Sequence, residues 1–441
     1  MRSKFFLVAA IALSLTTLGS APTLAQEAAD PIGQQKLRLQ RRAIPNRYIV
    51  KFRDGITKSE IAQIAKDLGA HDRPILHLYK QALNGFAIRL SAQQAQELAQ
   101  DERVEYVEED ARMSLNQVDL APCSSTASDG HTPNCVSQTV PSWNIDRLNQ
   151  STPTLDSNYT QVGTGKNVNV YIVDTGILTT HTDFQGRATA AYDAINDGNG
   201  GTDCNGHGTF TAGLIGGSTY GVAKEANLKS VRVLDCTGEG TASDIIAAID
   251  WITTNAPIPS VVNMSLGGEA NAPLDTAVQN GINAGYVYVL AAGNDNVDVS
   301  EVSPARVPSA ITVGARDNQD SQAVFSNYGD LVDFYLPGVD VYSDFNNSNT
   351  GQAIGSGTSF SAPLVAGLFA IQLEWNPDLT VAKQAITNSL NANGLGATFI
   401  SGSSSIPGGS TGYGSSNIGK LKNFNIGKLK NFSMPIVITE P

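Results

Sequence analysis

The sequence predicts an α/β protein in which helices flank a parallel sheet, with a smaller α+β domain ahead of it. From Trp143 to about Gly396, short apolar runs alternate with helical stretches, and between Arg47 and Asp110 a shorter unit has a different order of elements. The composition agrees, because 42 glycines and 7% aromatic residues suit a turn-rich folded protein better than a fibrous or disordered one. The 441 residues allow two or three domains.

The N-terminus has the composition of an export signal. Arg2 and Lys4 precede an apolar run over residues 5–18, and small residues before Gln26 offer a cleavage point. A basic, an apolar and a cleavage region in this order predict a secretory signal peptide over residues 1–25, and therefore a secreted, extracellular protein. A membrane anchor is the alternative, although the run is short for a span and no later stretch is long enough to cross a bilayer.

The unit between residues 47 and 110 has its own pattern of strands and helices. Strands are expected at residues 48–52, 74–78, 85–90 and 104–107, and helices at residues 59–68 and 92–100. Their order, β-α-β-β-α-β, is the ferredoxin-like arrangement. Since the unit has no catalytic constellation of its own, we expect it to be a partner, a chaperone or an inhibitor of the longer region after it.

The longer region carries the predicted parallel sheet. Apolar strands are expected at residues 168–173, 228–234, 261–266, 286–291 and 311–313, and helices at residues 243–253 and 273–283. Strand–helix alternation predicts a parallel sheet that is covered on both faces. In such sheets, functional residues gather at the carboxyl ends of the strands.

Charge and cysteine content narrow the partners and the compartment. The formal net charge of -12 argues against a nucleic-acid partner, because a phosphate backbone needs a basic surface, and it agrees weakly with oxygen-ligated calcium. Four cysteines in an exported protein predict two disulfides, with three possible pairings. Proximity along the chain favours Cys123 with Cys135 and Cys204 with Cys236.

Four side chains of complementary chemistry lie at the ends of expected elements. Asp174 ends an apolar strand, His207 lies among glycines at the start of a helix, and Asn294 follows another strand. Ser359 begins the helix that has Pro363 in its first turn. A serine nucleophile needs a base such as histidine, and a buried carboxylate orients that base and stabilises its cation. The oxyanion that forms needs donors, which a helix N-terminal N–H and an amide side chain could supply.

Each of these residues also has an ordinary structural interpretation. Ser359 could be a helix N-cap, Asp174 could end a strand in a turn, and Asn294 could occupy a left-handed turn. His207 could be a loop residue or a zinc ligand, but the sequence offers no further ligands at suitable spacing. Independent coincidence at all four positions is improbable, so the sequence favours the catalytic interpretation.

The motifs around these residues resemble those of the subtilisin-like serine proteases. Asp-Thr-Gly, His-Gly-Thr and Gly-Thr-Ser-x-x-Ala-Pro occur in this order, at Asp174, His207 and Ser359. Similarity to the proteinase K and aqualysin-like branch extends to residues 203–209, 220–224, 231–236 and 325–329. The resemblance covers about residues 141–400, where it implies a subtilisin-like fold. The segment 47–110 resembles the family's inhibitory propeptide, which assists folding and is removed autocatalytically.

The resemblance implies a role for each matching residue. Asp174, His207 and Ser359 match the catalytic triad, and Asn294 matches the amide of the oxyanion hole. An extended substrate would pair with two edges by β-augmentation. These edges comprise Gly238, Glu239 and Gly240 on one side, and Ser265, Leu266 and Gly267 on the other. The floor of a roomy, uncharged S1 pocket, which favours cleavage after apolar or aromatic residues, would consist of Ala291, Ala292 and Gly293.

Structural features of the family carry over in the same way. The backbone oxygens of Pro308 and Ala310, with the carboxylate of Asp333, match a structural calcium site of the proteinase K branch. The cysteines 204 and 236 match an aqualysin-type disulfide. No catalytic cofactor is implied. Glu239 at the substrate edge further suggests tolerance for basic residues a few positions before the cut bond.

Four residues depart from the family's usual motifs. Phe210 and Thr211 stand where the family usually has His and Val. Phe360 stands where it usually has Met, and Ser361 where it usually has Ala. We expect these side chains to pack behind the site without taking part in proton transfer. A secreted, catalytically silent protein that binds proteins or peptides is therefore the competing interpretation, although no member of the triad is lost.

The expected organisation has five segments. They are the signal peptide (1–25), a propeptide (26–116) with its inhibitor-like domain at about 47–110, a connector that carries two cysteines (117–140), the peptidase domain (141–400) and a Gly/Ser-rich tail (401–441). Maturation is expected somewhere between about residues 111 and 141. In the tail, an octapeptide at residues 417–424 recurs at residues 425–432, which is most simply a recent duplication, with a surface anchor as the alternative.

Two other motifs occur without the context they need. A lipase-type Gly-x-Ser-x-Gly at residues 408–412 has no strand before it. A Gly-rich segment at residues 163–166 suggests a phosphate-binding loop, but it precedes a strand instead of following one.

The sequence therefore predicts a secreted, monomeric serine endopeptidase that acts on proteins and peptides. It would be made as an autoprocessed zymogen, with its own propeptide as intramolecular chaperone and inhibitor.

Overall fold

The computed structural model describes residues 36–69, 74–122, 142–159 and 163–396. The signal peptide, the pairing of Cys123 with Cys135 and the motifs of the C-terminal tail lie outside these residues. Within the described ranges, no helix is both long and apolar enough to cross a membrane.

The secondary structure begins with a small N-terminal domain. Its elements and the strand after it are β1 (Leu37–Arg38), β2 (Ala43–Phe52), α1 (Lys58–Gly69), β3 (Ile75–Leu78), β4 (Gly85–Arg89), α2 (Ala92–Ala99), β5 (Val104–Leu115) and β6 (Asp119–Pro122). The larger domain contains the helices α3 (Trp143–Asp146), α4 (His207–Gly216), α5 (Ala242–Asn255), α6 (Ala272–Asn283), α7 (Thr358–Trp375) and α8 (Leu379–Ala392). Its strands are β7 (Asn169–Asp174), β8 (Ala188–Asp193), β9 (Asn227–Arg232), β10 (Glu239–Thr241), β11 (Val261–Met264), β12 (Leu266–Glu269), β13 (Val287–Ala291), β14 (Val302–Ser303), β15 (Ile311–Arg316), β16 (Phe334–Pro337), β17 (Val341–Phe345) and β18 (Gly351–Ser356).

A seven-stranded sheet forms the centre of the larger domain. Its order is β16-β15-β13-β11-β7-β9-β8, and every neighbouring pair is parallel. Successive residues of β7 face opposite sides, so that Ile172 packs into the core that contains α4 and α7 while Val173 packs into the core that contains α5 and α6. The predicted parallel sheet with helices on both faces is therefore confirmed.

The small N-terminal domain, residues 37–115, packs its own core between two helices and an antiparallel sheet. β4 and β5 flank β2, and α1 and α2 contribute Ile61 and Ala95 to a core that includes Phe52 and Phe86. The expected order β-α-β-β-α-β is confirmed. β5, however, continues to Leu115 instead of ending near residue 107, because its second half pairs with strands of the larger domain.

A third, antiparallel sheet lies next to the N-terminus of α7. β18 pairs with β17 on one side and with β6 on the other. α7 begins immediately after β18, at Thr358, and Pro363 lies within the helix, in its second turn instead of its first. This sheet and the second half of β5 bring the chain before and after residue 116 to the same place, the N-terminal end of α7.

Candidate active site

The fold brings Asp174, His207, Asn294 and Ser359 to one edge of the central sheet. Asp174 ends β7, and Asn294 follows the end of β13, which β11 separates from β7. His207 is the first residue of α4 and Ser359 the second residue of α7. Parallel strands share the direction of their carboxyl ends, so side chains that follow different strands converge there.

The imidazole of His207 is oriented by Asp174. His207 Nδ1 lies 2.8 Å from Asp174 Oδ1 and 3.0 Å from Oδ2, and both residues are fully buried. The Thr175 N–H also donates to Asp174 Oδ1, at 2.7 Å. This arrangement fixes the proton on Nδ1 and leaves Nε2 as the basic nitrogen. His207 Nε2 has no hydrogen-bond partner among the described residues.

Ser359 is held by a reciprocal pair of hydrogen bonds with Ser265. The Ser359 hydroxyl donates to the Ser265 carbonyl at 3.0 Å, and the Ser265 hydroxyl donates to the Ser359 carbonyl at 2.8 Å. The second bond has a cause in the sequence. Pro363 has no N–H to give to the carbonyl four residues earlier in the helix, which is that of Ser359, and Ser265 supplies the missing donor. Asn263 Nδ2 in turn donates to Ser265 Oγ at 3.0 Å.

The backbone N–H of Ser359 contacts a carbonyl oxygen, and the amide of Asn294 lies next to the same turn at the start of α7. The Ser359 N–H donates to the Asn116 carbonyl at 3.0 Å. Asn294 Oδ1 accepts from the Thr358 N–H at 2.9 Å, while Asn294 Nδ2 is buried and has no partner among the described residues. Gly357 leaves room for this approach, because a Cβ there would lie 2.7 Å from the Asn116 oxygen and 3.3 Å from Asn294 Nδ2.

Asp203 shapes the loop that presents His207. Its Oδ1 accepts from the N–H groups of Asn205 and Gly206 and from the Thr175 hydroxyl, and its Oδ2 accepts from the N–H and hydroxyl of Thr209. Thr175 Oγ1 also accepts from the Gly208 N–H at 3.0 Å. Sequence reasoning included Asp203 only within a similar stretch and gave it no role. Its position four residues before a histidine at a helix start was the available signal.

The two predicted substrate edges border a strand of the chain itself. β5 runs antiparallel between β10, where Gly240 pairs with Met113, and β12, where Leu266 pairs with Leu115. The set Gly238, Glu239, Gly240, Ser265, Leu266 and Gly267 thus lies along both sides of residues 112–116. Ala291 ends β13, and its carbonyl accepts from Asn116 Nδ2 at 3.5 Å. Ala292 and Gly293 follow it, and both are buried.

Charged and apolar side chains of β5, together with Arg42 just before β2, meet complementary groups on these edges. The Arg112 guanidinium lies 3.4 Å from the Glu239 carboxylate, and that of Arg42 lies 3.6 Å from it. Met113 is fully buried, and a Cβ on Gly268 would lie 2.6 Å from its sulfur. A Cβ on Gly238 would lie 2.5 Å from Leu115 Cδ1. Glycines on the edges therefore allow the strand to approach closely.

Phe210 and Phe360, which depart from the family's motifs, contact each other. Their ring centroids are 4.4 Å apart, and the Phe360 ring centroid lies 5.5 Å from that of His207. Both phenylalanines are fully buried. The two departures thus form one aromatic support behind the imidazole.

The residues matched to a calcium site lie around one turn. Asp333 Oδ2 accepts from the Thr312 N–H at 2.9 Å, two residues beyond Ala310, and the Asp333 N–H donates to the Thr312 carbonyl. Burial raises the pKa of the Asp333 carboxyl. Pro308 is exposed, and Ala310 is buried. A carboxylate that burial destabilises, next to a turn, has the chemistry of a cation ligand.

The cysteines 204 and 236 form a disulfide, with their Cα atoms 5.0 Å apart. Cys204 lies three residues before His207, and Cys236 lies shortly before β10. The bond therefore ties the loop that presents the imidazole to one substrate edge.

Comparisons with known proteins agree with this geometry. The model of the subtilase family matches residues 165–404, which is more than half of the chain. The chain belongs to the subtilase family. It is therefore a serine endopeptidase of the subtilisin type, as its resemblance implied. The model of the peptidase inhibitor I9 family matches residues 47–116 and ends at the residue whose carbonyl meets the Ser359 N–H.

Individual relatives support the same assignment. An "Extracellular serine proteinase" of Thermus sp. (strain Rt41A) is 42% identical over 362 residues, 78% of this chain and 84% of that protein. A "Cuticle-degrading serine protease" of Arthrobotrys oligospora is 34% identical, over 79% of this chain and 86% of that one. The crystal structure of a cold-adapted subtilisin-like serine proteinase is 46% identical, with a TM-score of 0.54, and covers 57% of this chain and 90% of its own.

Proposed function

We propose that this subtilase is a secreted endopeptidase whose triad is Asp174, His207 and Ser359, with Asn294 completing the oxyanion hole. The observation that carries the proposal is the short pair of contacts from His207 Nδ1 to Asp174, because they leave Nε2 free as a base at the edge of the sheet where Ser359 also lies. The Ser359 hydroxyl would rotate from the Ser265 carbonyl to donate to His207 Nε2. A histidine polarised in this way removes the serine proton during attack.

The reaction would proceed through an acyl-enzyme. Ser359 Oγ adds to the carbonyl carbon of the substrate, and its proton passes to His207 Nε2. The carbonyl oxygen becomes an oxyanion that the Ser359 N–H and Asn294 Nδ2 stabilise. His207 then gives the proton to the leaving nitrogen, the C–N bond breaks, and water hydrolyses the ester by the same steps. The Asp174 carboxylate would stabilise the imidazolium.

Specificity would come from main-chain pairing and from the side chains that line the cleft. β10 and β12 would pair with an extended substrate, as they do with residues 112–115 of the chain. Small, uncharged residues at Ala291, Ala292 and Gly293 favour a broad preference for apolar or aromatic residues before the cut bond. The contact between Glu239 and Arg112 supports tolerance for a basic residue a few positions before that bond.

A structural calcium ion would be held by the backbone oxygens of Pro308 and Ala310 and by Asp333. The ion would neutralise a carboxylate whose ionised form burial disfavours, and so stabilise the turn. Chelation should lower the thermal unfolding midpoint of the wild type and leave that of Asp333→Asn unchanged. Equal responses of the two proteins to a chelator would contradict this site.

Ser359→Ala tests the proposed triad against its matched control Ser361→Ala. Ser359→Ala should abolish both propeptide removal and casein hydrolysis. Ser361→Ala removes a serine hydroxyl from the same helix, and this hydroxyl donates to the Leu336 carbonyl. It introduces the residue that relatives usually have, so maturation and activity should persist. A purified Ser359→Ala protein that still matures alone and cleaves casein would overturn the proposal and favour a different nucleophile.

The proposal includes secretion and removal of the N-terminal domain. The predicted signal peptide and the name of the extracellular relative from Thermus support export. The N-terminal domain lies with its last strand in the substrate cleft, which supports its role as an inhibitor. Its proposed boundary, and those of the peptidase domain and the tail, remain as the sequence predicts them: residues 26–116, 141–400 and 401–441.

A further inference from the structure

The chain passes through its own substrate cleft without a break. Before residue 116, Arg112, Met113 and Ser114 pair with β10, and Ser114 and Leu115 pair with β12. After it, the Val118 N–H donates to the Ser356 carbonyl at 2.7 Å, and β6 continues antiparallel along β18, with Leu120 opposite Gly355. The segment is therefore extended and bound on both sides of Ser359.

At the centre of this segment, Asn116 makes the contacts of a residue at the point of attack. Its N–H donates to the Ser265 carbonyl at 3.3 Å, and its carbonyl oxygen accepts from the Ser359 N–H at 3.0 Å. Its side-chain amide reaches the Ala291 carbonyl, at 3.5 Å. The backbone of Gln117, the next residue, passes Gly357 so closely that a Cβ there would lie 2.8 Å from Gln117 Cα.

The side chains before Asn116 fix the register. Met113 fills a fully buried position, and Leu115 packs against Gly238. A slip of one residue along β10 and β12 would turn each side chain to the opposite face of the strand. It would place the polar Ser114 where Met113 is buried. Only one peptide bond is therefore presented to Ser359 in this arrangement.

We propose that the bond between Asn116 and Gln117 is the maturation bond, cut by Ser359 of the same chain. The inference rests on the proposed triad and deepens it by naming its first substrate. Ser359 Oγ would form an ester with the Asn116 carbonyl carbon, and the C–N bond to Gln117 would break. The proton that His207 removed from Ser359 would end on the Gln117 nitrogen, which becomes the new amino terminus. Water would then release a propeptide that ends in the Asn116 carboxylate.

This assignment extends the expected specificity to an amide side chain in the S1 pocket. Asn116 differs from the apolar or aromatic residues expected there, but the reaction within one chain does not depend on capture from solution. A tethered segment has a high effective concentration, and its alignment by two paired edges is already complete. The rate of the first cut should therefore be independent of protein concentration.

The first experiment determines both ends of the cut in freshly expressed wild-type protein. Intact mass should give a propeptide fragment that ends at Asn116 and a partner fragment that begins at Gln117. An N-terminal glutamine can cyclise with loss of ammonia, so mass is read on both fragments. The end of the propeptide fragment decides, because later trimming of the mature enzyme leaves it unchanged. A propeptide ending elsewhere, in a protein whose Ser359→Ala variant stays uncut, would overturn the bond and leave the triad standing.

A pair of variants at residue 117 provides the second test. Gln117→Pro removes the N–H at the cut bond and should slow self-cleavage at least about tenfold, whereas Gln117→Ala should stay within about twofold of wild type. Each variant is also made with Ser359→Ala to compare thermal unfolding midpoints, which should agree. If Gln117→Pro is cut at the wild-type rate and the propeptide still ends at Asn116, the assignment is wrong. If Ser359→Ala itself matures, the proposed function fails instead.

Discussion

The segments before and after Asn116 are bound in different ways. Residues 112–115 lie between two strands, β10 and β12, whereas residues 119–122 pair with β18 alone. The first segment also belongs to a domain with a core of its own, in which Phe52 and Phe86 are fully buried. The two products of a cut at Asn116 should therefore leave the cleft at very different rates. The N-terminal product would remain as an inhibitor, while the new amino terminus withdraws.

Two carboxylates of β5 strengthen the attachment of the first segment. Asp110 accepts from the N–H and hydroxyl of Ser243 at the start of α5, and it pairs with Arg47 at 2.8 Å. Glu108 accepts from the Ala272 N–H at the start of α6 and from Gln40 Nε2. The first N–H groups of a helix have no partner within the helix, and the carboxyl oxygens of β5 accept from them. Residues 119–122, in contrast, are bound through their pairing with β18.

The largest effect on this difference is expected for Asp110→Ala. The change removes the acceptor of the Ser243 N–H and hydroxyl, and it removes the nearer carboxylate of Arg47, which keeps the more distant Asp244 at 3.8 Å. The loss of these charge-assisted contacts should weaken attachment of the N-terminal domain by about 3–5 kcal/mol. The lag between self-cleavage, followed by mass, and casein hydrolysis should shorten severalfold or more. Glu109→Ala, at the neighbouring half-buried carboxylate, is the control and should keep most of the lag. An unchanged lag in Asp110→Ala would show that the two segments do not differ through this contact.

Truncation of one apolar side chain on each side compares the two segments directly. Met113→Ala removes a fully buried side chain and should weaken binding of the first segment by about 2–4 kcal/mol. Leu120→Ala, at a half-buried position, should weaken binding of the second segment by less than about 1 kcal/mol. Self-cleavage should slow much more in Met113→Ala. The measurement is the first-order rate of cutting after refolding. Equal rates in the two variants would contradict the asymmetry.

The attachment of the first segment should weaken as the pH rises. Burial raises the pKa of Glu108 to about 7, from the ordinary carboxyl range in the unfolded chain, although Arg38 and Gln40 oppose the shift. The docked state therefore binds a proton more readily. Glu108 therefore stabilises the docked state fully at pH values below the ordinary carboxyl pKa, and this stabilisation is lost as the pH rises through about 7.

Glu108→Gln isolates this contribution. Between pH 5 and pH 8 the uncut Ser359→Ala protein should lose about 1–3 kcal/mol of unfolding free energy through Glu108. Over the same pH interval, the unfolding free energy of the double variant Ser359→Ala/Glu108→Gln should fall less than that of Ser359→Ala, and the difference between the two losses should equal this contribution. Urea unfolding at the two pH values measures the difference, and Asp110, which titrates in both proteins, cancels. Parallel pH dependence in the two proteins would rule the effect out.

The smallest effect is expected behind the imidazole, at Phe360. Phe360→Met restores the family's usual residue and keeps the volume close, so it should cost less than about 1.5 kcal/mol of stability. The rate of cutting at Asn116 and the length of the lag before casein hydrolysis should change together, each by no more than about threefold. Stopped-time mass analysis with a casein assay checks both. A change in the lag alone would mean that Phe360 acts on propeptide release.

Most of the central architecture could be predicted from the sequence, because buried parallel strands are apolar throughout. The strands β7, β9, β11, β13 and β15 occur where the apolar runs are. The two edge strands were not predicted, for physical reasons. β8 consists mostly of small, partly exposed residues, and β16, although buried, has only four residues and ends in Pro337.

The site was accessible to sequence reasoning to the extent that it depends on residue type. Asp174, His207, Asn294 and Ser359 all occur in small motifs at element ends, and the fold brings them together. The second half of β5 was missed because its partners, β10 and β12, lie more than 120 residues later in the chain. The sequence placed the propeptide boundary at residue 116 within a broad range for maturation, but it did not identify Asn116 as the residue at the point of attack, since that role depends on a register that only the assembled cleft defines.

The continuous strand through the cleft has a consequence for how such a protein can evolve. Residues 112–118 are inherited in the same gene as β10 and β12, which border them, and as the proposed S1 floor. Under the proposed self-cleavage, a mutation that altered recognition would be tested first on the chain that carries it, and a variant unable to cut its own chain would not become an active enzyme. Heritable changes of specificity are therefore confined to those that still accept residues 112–118 or that are accompanied by matching mutations in this segment. In a variant library, the mass of the released propeptide would report the new specificity of each member.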